Sequence, residues 1–508
     1  MQKSHNTQVL IVGAGPTGLT LGIELARRGV PFRLVDGADG PFQGSRGKGT
    51  QPRSLEIFHD LGIVDEVLAN GRYNMPMRLY DEAGKHRDQT VHAEAEPSPG
   101  VPYPVTLLIP QWRVEGALRH RLEELGGRVE YGVRLEALVQ DDAGVAATLS
   151  AKDGQERCHA AWLVGCDGGK SATRHLIDIP FLGETMEQFR MMVGDVKATG
   201  LNRDFWHVWR KQDSFLALAP LPNTDQFQFQ ASIDQHTTTE PSLELFRQLL
   251  QERTGRSDIT LSDPSWMSFW RANVRMVEHY RAGRVLLAGD AAHVHTPAGG
   301  QGMNTGIQDA YNLGWKLAAV VGGAQEGLID SYEQERLPVA AGILGLSTRL
   351  FNSMVAQGGN MAARRDGSTL QLGIGYRDSG WVEELRAEPG VVRAGDRAPD
   401  APGLVGADGA DGATRLFDLM RGTHFTLLAF GKKWAEVVRR ARERYGAMLR
   451  VIQIDGEQWR DSAGHAAQSY GVTRDTLFVI RPDWHVGFAT DEADAQVVLD
   501  YLARFAAA

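Results

Sequence analysis

Cysteine is nearly absent from this chain of 508 residues, which contains only Cys158 and Cys166. Two cysteines cannot build a disulfide framework or a metal site made of thiolates. Their scarcity is typical of proteins in a reducing compartment, so we expect a cytoplasmic location and no bound metal.

The sequence also lacks long hydrophobic runs, a signal peptide and clustered basic residues. Apolar stretches such as Val285–Ala288 fall far short of the roughly 20 residues that span a bilayer. The start, MQKSHNTQ, has no signal-peptide features. The formal net charge is -9, whereas neutralising nucleic-acid phosphates needs clustered Lys and Arg. We therefore expect neither a membrane nor a nucleic acid as partner.

What is present fits a large globular enzyme. Hydrophobic residues make up 42% and charged residues 23% of the chain, which are ordinary values for a folded protein. A chain of this length exceeds what one hydrophobic core supports, so two or three domains are expected.

The N-terminal segment has the pattern of a doubly wound, Rossmann-like domain. Gln8–Val12 is a run of strand-forming residues, a glycine turn follows, and apolar residues then recur at helical spacing. A second apolar run, Phe32–Val35, ends in Asp36 and is expected beside the first strand, because right-handed βαβ crossovers are strongly preferred. The predicted fold class is α/β.

The turn GAGPTG at residues 13–18 fits the dinucleotide motif G-x-G-x-x-G in its required context. The first glycine permits the tight turn, the second lets the backbone approach a pyrophosphate, and the third lets helix and strand pack closely. The helix N-terminus offers amides to phosphates, and the acid at the end of the second strand is placed to bond a ribose. The predicted contacts are Gly13, Gly15, Pro16, Thr17, Gly18 and Asp36. The motif alone does not distinguish FAD from NAD.

Two later segments distinguish the cofactors through a family resemblance. Residues 163–174 (LVGCDGGKSATR) place an Asp-Gly pair after a strand, and residues 284–304 (RVLLAGDAAHVHTPAGGQGMN) place a Gly-Asp pair before a loop of small residues. In this order the three segments resemble the class A FAD-dependent aromatic hydroxylases, of the p-hydroxybenzoate hydroxylase and phenol hydroxylase type. The resemblance implies a non-covalently bound FAD, contacted by Asp167 and Asp290.

The third segment also suits flavin chemistry by its residue types. Asp290 at a strand end is placed to bond ribityl hydroxyls, and the following loop can bring backbone amides to the carbonyl edge of the flavin, where they stabilise negative charge. We expect Asn304 to cap a helix that starts at about residue 305. The predicted ring-facing loop residues are Pro297, Gly300 and Gly302, and the cofactor contacts continue with Met303 and Asn304.

Two weaker family resemblances add candidates to the cofactor site, and a pair of histidines nearby needs an interpretation. Arg46 occupies the position of a family arginine that faces the cofactor phosphates, with a surface or helix-capping role as the alternative. Gln111 resembles a family glutamine near the flavin dinucleotide, with capping of the following helix as the alternative. His293 and His295 invite a metal pair or a covalent flavin link, but loop packing is the role we expect.

Residues 179–280 are expected to form a substrate domain. Alternating stretches such as Phe215–Pro220 and Phe227–Ile233 are typical of an antiparallel sheet, and their aromatic side chains suit a flat apolar ligand. The candidate substrate contacts are Trp206, Arg210, Phe215, Phe227 and Phe229. Core packing is the alternative for the aromatic residues, and simple exposure for Arg210.

The FAD-binding domain is expected over residues 1–178 and 281–390, with some of its strands in the substrate sheet. A Pro-, Gly- and Asp-rich stretch, Arg393–Pro402, predicts a linker to a small α/β domain over 395–508. That domain resembles the thioredoxin-like appendix of the phenol hydroxylase branch. It has no C-x-x-C, because no cysteine follows Cys166, so we expect it to support packing or a homodimer.

The resemblance implies an FAD-dependent monooxygenase that hydroxylates a phenolic or polyketide-type aromatic substrate. NADPH or NADH would be the reductant and O2 the oxidant, with oxygen transfer from a flavin hydroperoxide, while the protein orients the reactants and excludes water. Two alternatives stay open: Baeyer–Villiger or epoxidising oxidation of a polyketide or antibiotic, and a catalytically silent flavin-binding scaffold.

Overall fold

A computed structural model describes residues 4–90, 95–211, 214–234, 237, 239–296, 298–356, 367–406 and 413–507. Pro297, one of the predicted ring-facing residues, lies outside the described residues. Within these ranges, no helix combines the length and the apolar character that a bilayer crossing requires.

The chain forms three large sheets with helices packed on them. The strands are β1 (Ser4–Val12), β2 (Phe32–Asp36), β3 (Gly49–Thr50), β4 (Met77–Tyr80), β5 (His86–Gln89), β6 (Leu107–Leu108), β7 (Val129–Tyr131), β8 (Arg134–Asp141), β9 (Gly144–Ala151), β10 (Gly154–Gly165), β11 (Leu182–Thr199), β12 (Trp206–Lys211), β13 (Ser214–Pro220), β14 (Gln226–Ile233), β15 (Thr260–Met276), β16 (Arg281–Ala282), β17 (Val285–Leu287), β18 (His293–Val294), β19 (Glu383–Glu384), β20 (Pro402–Gly406), β21 (Thr414–Arg415), β22 (Phe425–Phe430), β23 (Leu449–Ile454), β24 (Trp459–Asp461), β25 (Leu477–Ile480) and β26 (Val486–Thr490). The α-helices are α1 (Pro16–Ala26), α2 (Pro52–Leu61), α3 (Val64–Ala69), α4 (Gln111–Glu124), α5 (Ala172–Leu176), α6 (Leu243–Thr254), α7 (Gly302–Val321), α8 (Gly327–Ala356), α9 (Leu416–Met420), α10 (Ala435–Tyr445), α11 (His465–Tyr470) and α12 (Ala495–Ala503).

The first sheet is the predicted doubly wound one. Its strand order is β16-β17-β10-β1-β2-β7, with β9 and β8 beside β10, and its strands from β17 to β7 run parallel. Val9 and Ile11 face a core shared with α1, α4 and α7, while Leu10 and Val12 face a core shared with β9. The strand β1 starts before the predicted Gln8, because residues from Ser4 onward pair with β10.

The second sheet has the order β18-β15-β11-β14-β13-β12-β4-β5. It is antiparallel except that β4 runs parallel to β12. It therefore combines strands from residues 179–280 with β4 and β5 from before this region and β18 from after it. Side chains alternate between its two faces. One face packs against α6, and Gln228 on the other face contacts Ser45 and Lys48, which follow β2 in the chain.

The third sheet has the order β19-β26-β25-β22-β23-β24-β20-β21, with β22 and β23 parallel and β25 and β26 antiparallel. The stretch expected to be a linker is not one: Ala394, Ala398 and Ala401 are buried in the core of this sheet because their small side chains fit there. Its thioredoxin-like character stays a prediction. A tight turn precedes the strand β26, where Trp484 N donates to Arg481 O at 3.0 Å.

A buried ionic cluster joins this turn to the helices α7 and α8. Arg481 donates from Nη1 and Nη2 to the two oxygens of Glu335 on α8, at 2.7 and 2.8 Å. Lys316 on α7 donates to Glu335 Oε2 at 2.7 Å, and Asp483 accepts from Arg481. Two cations and two carboxylates thus cancel inside the protein, as buried charges require. The surrounding cations hold the pKa of Glu335 well below its usual range despite burial, which acts in the opposite direction.

Candidate active site

Three turns meet at the carboxyl ends of neighbouring parallel strands. Gly13 N donates to Val35 O at 2.8 Å, Cys166 N donates to Val12 O at 2.7 Å, and Ala288 N donates to Gly165 O at 3.0 Å. These bonds hold the ends of β1, β2, β10 and β17 side by side. In open α/β sheets a ligand binds in the crevice at this edge. The structure therefore brings the glycine motif, Asp167 and Asp290 together at this one edge of the sheet, which we call the cleft.

The three glycines of the first motif have different environments. Gly13 has φ +103°, and a Cβ atom there would lie 2.3 Å from Cys166 O. At Gly18 a Cβ atom would lie 1.9 Å from Gly13 O, whereas at Gly15 nothing lies within 4 Å. Packing alone thus requires the first and third glycines. The space beside Gly15, at the N-terminus of α1, is the kind of cradle in which a backbone approaches a pyrophosphate.

Thr17 links the first and third segments. A Cβ atom at Gly289 would lie 2.5 Å from Thr17 Oγ1, and one at Gly306 would lie 2.4 Å from the same atom. The hydroxyl is therefore packed between the turn after β17 and the helix α7. Pro16 is the first residue of α1, a position at which its missing N–H costs nothing.

Two acids of the predicted site also shape the backbone. Asp36 accepts hydrogen bonds from Ala14 N at 2.7 Å and Ala38 N at 2.8 Å, so it joins the end of β2 to the glycine turn. Asp167 accepts from Thr173 N at 2.9 Å and from Ser171 Oγ. Both are half-buried at the cleft. Their contacts with a cofactor stay predictions.

Asp290 faces the cleft from the other side. Its side chain is exposed there. Desolvation by the surrounding protein nevertheless raises the pKa of the carboxyl group. His293 and Arg46 oppose this rise, which brings Arg46 into the electrostatic neighbourhood of Asp290. A Cβ atom on Gly302 would lie 4.0 Å from Asp290 Oδ1, so the N-terminus of α7 adjoins the carboxylate.

Two amide side chains donate hydrogen bonds to the backbone of the predicted ring-facing loop. Gln51 Nε2 donates to Gly299 O at 2.9 Å, and Asn304 Nδ2 donates to Gly300 O at 2.8 Å and to Gly49 O at 2.9 Å. Asn304 Oδ1 accepts from Gln51 N at 2.8 Å. Gly300 has φ +64°, which favours glycine.

The prediction that Asn304 caps a helix was wrong. The helix α7 starts at Gly302 and follows Gln301, which makes no side-chain cap. Asn304 lies inside its first turn, next to the half-buried Met303, and its amide joins two separate loops instead. Gln51 was not predicted from the sequence as a residue that positions this loop. Its place in a polar stretch before α2 makes it a candidate for that role.

Gln111 shapes the loop that carries Arg46. Its Oε1 accepts from Gly47 N at 3.0 Å, and its Nε2 donates to Glu115 Oε1 at 2.7 Å. It does not cap α4, which follows Pro110 and has no side-chain cap. Arg46 is exposed at the cleft, over the ring of Phe42 at 4.9 Å. Burial raises the pKa of Glu115 to about 7, so this carboxyl carries only part of a charge near neutral pH.

Of the two histidines, His293 has the packing role that we expect. His293 Nε2 lies 2.6 Å from Asp309 Oδ2, and Arg336 Nε donates to Asp309 Oδ1 at 2.7 Å. Burial holds the pKa of His295 well below its usual range, so its ring is uncharged. No group of three or more potential metal ligands occurs in the part of the chain that the structure describes.

The substrate candidates fall on two opposite faces of the second sheet. Arg210 lies opposite Phe215, and Trp206 is on the same face of β12 as Arg210. Phe227 and Phe229 project to the other face, where Phe229 stacks on Phe246 of α6 with 4.1 Å between ring centroids. The prediction of substrate contacts for Phe227 and Phe229 is therefore contradicted by the geometry, because α6 already covers them.

We call the face with Trp206, Phe215 and Arg210 the chamber face, and it also carries polar side chains. Asp195 pairs with Gln228 in the strand register. Lys48 donates to Gln228, whose own amide donates to Ser45 O. Burial raises the pKa of Asp195 to about 6. Sequence analysis missed these groups, although the alternation QFQFQ at residues 226–230 indicates a glutamine face.

These residues fit a flavin dinucleotide. The cleft combines an open glycine turn at a helix N-terminus, an exposed arginine, two strand-end acids and a loop of small residues bound by Gln51. A diphosphate, a ribose and a flat ring need these features in this order.

Comparisons with known proteins agree with this geometry. Residues 6–347 match the family model described as an FAD binding domain, and residues 392–507 match the one described as the C-terminal part of aromatic-ring hydroxylases. The chain is 42% identical over 503 residues to a flavin-dependent monooxygenase of Mycobacteroides abscessus, covering 98% of this chain and 99% of that protein. It is 32% identical to pentachlorophenol 4-monooxygenase of Sphingobium chlorophenolicum, covering 95% and 94%. Aklavinone-11 hydroxylase, solved with FAD and aklavinone, is similar with a TM-score of 0.84 and 27% identity over 99% of both chains.

Proposed function

The chain belongs to the FAD-dependent aromatic-ring hydroxylases, a family of flavoprotein monooxygenases, and on this premise we propose its substrate class, its reductant and the roles of its residues. The predicted family and the mixed α/β class are confirmed. The substrate is a phenolic or polyketide-type aromatic compound, hydroxylated with O2 and NADPH or NADH. The sequence has no second G-x-G-x-x-G, so the reductant uses no separate dinucleotide domain of its own.

One observation carries the proposal: the segment of residues 45–51 contacts the loop around Gly300 through Gln51 and the chamber face through Ser45 and Lys48. Bound FAD supplies the redox chemistry that activates oxygen. Gly15 and the first amides of α1 hold its diphosphate, Asp36 its ribose, and Asp290 its ribityl chain. The amides of the loop around Gly300 stabilise negative charge on the reduced ring.

The chamber face binds and orients the aromatic substrate. Trp206 and Phe215 are almost fully buried in an apolar cluster on this face and form the apolar backing of the site. Lys48 lies 3.9 Å from the centre of the Trp206 ring, so the chamber face carries a cation that would stabilise the anionic form of a phenol bound near it. Burying the ring here also excludes water from the reaction.

The test is to assay the purified, yellow protein with a panel of phenols and aromatic polyketides. Consumption of NADPH or NADH should rise with a true substrate, and the product should gain one oxygen atom on an aromatic carbon, as shown by mass spectrometry and NMR. Ring expansion or an epoxide would instead support Baeyer–Villiger or epoxidising chemistry. Nicotinamide oxidation that yields only hydrogen peroxide with every compound would contradict a hydroxylase.

We also place the protein in the cytoplasm, because Cys158 and Cys166 are both buried free thiols.

A further inference from the structure

A cavity of about 520 Å³ lies at the outer edge of the second sheet. It is formed by the hairpin of β4 and β5 together with β12. Its lining residues are Leu79, Tyr80, Asp81, Glu82, Lys85, His86, Arg87 and Arg210. None of the cofactor contacts assigned above lines it. Its volume suits one ring system or a substituent of a large ligand.

The strand register puts two arginines of this cavity on the chamber face. Val208 pairs with Leu79, and Leu79 pairs with Arg87, so these three side chains share one face of the sheet. Arg210 lies two positions after Val208 on β12 and therefore projects to the same face. The cavity is thus an outward continuation of the surface that carries Trp206 and Phe215.

The electrostatics of the cavity favour an anion. Arg210 is half-buried, and both burial and the charge of Arg87 lower its pKa, which means that both disfavour its charge. The cavity lining also includes two acidic residues. One of them, Asp81, stabilises the hairpin turn, where its Oδ1 accepts hydrogen bonds from Lys85 N at 2.8 Å and from Ala83 N at 3.0 Å. Glu82 is exposed at the tip of the turn. An anion between the two guanidinium groups would relieve their repulsion.

The cavity also has an apolar wall on this face. Leu79, which shares the face with the two arginines, is buried. The ring of Tyr80 projects to the other face, where it stacks on Trp209 with 4.7 Å between centroids and 6° between planes, so this part of β4 is held firmly in place. A buried apolar side chain beside paired cations suits an anionic group attached to a ring.

We propose that this cavity is an anion-binding subsite in which Arg210 and Arg87 hold a carboxylate, enolate or phosphate group carried by a ring-containing ligand of the reaction. The inference rests on the proposed function, because it supplies two sources of such an anion. One is an acidic group of the aromatic substrate, remote from the carbon that is hydroxylated. The other is the 2′-phosphate of NADPH.

The test measures equilibrium binding to the FAD-loaded, oxidised enzyme by calorimetry, without turnover. One pair of probes is 1-hydroxy-2-naphthoate and its neutral amide, and the other is adenosine 2′,5′-bisphosphate and AMP. The variants are Arg210→Gln and Arg87→Gln. Arg444→Gln, which removes the same charge from the exposed face of α10, is the matched control.

We expect each cavity variant to weaken binding of an anionic probe about tenfold, as loss of one charge-assisted hydrogen bond implies. The neutral amide should be unaffected, and the control should match the wild type. Weakening confined to the naphthoate assigns the cavity to the substrate. Weakening confined to the bisphosphate assigns it to NADPH, and the KM for NADPH should then rise while that for NADH does not.

Unchanged binding of both anionic probes would overturn the proposal, as would equal losses for a probe and its less charged partner. Arg210→Lys keeps the charge and should restore most of the preference for the anion, which separates a lost charge from a disturbed sheet. These constants are measured without product formation. A failure of the proposed hydroxylation would appear as missing product and would leave them unchanged.

Discussion

Replacing Glu335 with alanine tests how the third sheet is held to the helices α7 and α8. The carboxylate is shared by Arg481 and Lys316, and all three side chains are almost fully buried. Without it, two cations are left with Asp483 as their remaining partner in the cluster. Removing one member of a buried ion pair costs about 3–5 kcal/mol. We expect the free energy of unfolding to fall by that amount in mildly acidic to neutral solution.

This loss should shrink as the pH rises. Burial already lowers the pKa of Lys316 to about 8, and Glu335 is the main group that opposes this effect. In the folded variant the pKa of Lys316 falls further. The pH range over which the unfolded chain binds more protons than the folded chain is therefore wider than in the wild type. Stability then rises by about 1.4 kcal/mol per pH unit for one proton. The difference from the wild type should narrow up to pH 8 and stay constant above it, where both proteins release this proton.

Urea unfolding, followed by circular dichroism at several pH values, measures these quantities. Glu443→Ala is the control, because it removes the same charge from an exposed pair with Arg439 and should change stability little. A loss for Glu335→Ala no larger than that of the control would refute the reasoning. So would a difference from the wild type that does not vary with pH below 8.

Three further predictions concern the cleft and the sheet. Gly15→Val should purify without flavin while the apoprotein melts at its usual temperature, because the added Cβ meets nothing within 4 Å; a yellow protein would contradict this. Asp290→Ala should bind FAD more weakly in a fluorescence titration and keep its fold, since the carboxylate is exposed in the cleft; unchanged affinity would count against the assignment. Phe229→Ala should lower stability by about 3–5 kcal/mol without altering the product, whereas Phe215→Ala should alter substrate affinity; the reverse pattern would show that the two faces are assigned wrongly.

The nucleotide-binding edge could be predicted because its requirements are local. A strand, a tight glycine turn and a helix N-terminus follow one another within residues 8–26, so propensity and steric limits act on neighbouring residues. Gly13 and Gly18 are needed wherever this turn forms, since a side chain at either would collide with backbone.

Other residues could not be predicted because their partners are distant in the chain. Asn304 looked like a helix cap, yet its amide bonds the backbone near Gly49, which lies 255 residues away in sequence. The stretch at Arg393–Pro402 looked like a linker, yet its alanines fill a core. In both cases tertiary contacts outweighed a local preference.

The sequence by itself determined the order of the elements, the turns that accept a dinucleotide and which side chains of each strand share a face. Only the tertiary structure decided which face of the second sheet contacts Ser45 and Lys48 and which one α6 covers. Alternation along a strand separates two faces but carries no information about what is packed on each. That choice put Phe227 and Phe229 in the core with α6 and left Trp206, Phe215 and Arg210 on the face that contacts Ser45 and Lys48 through Gln228.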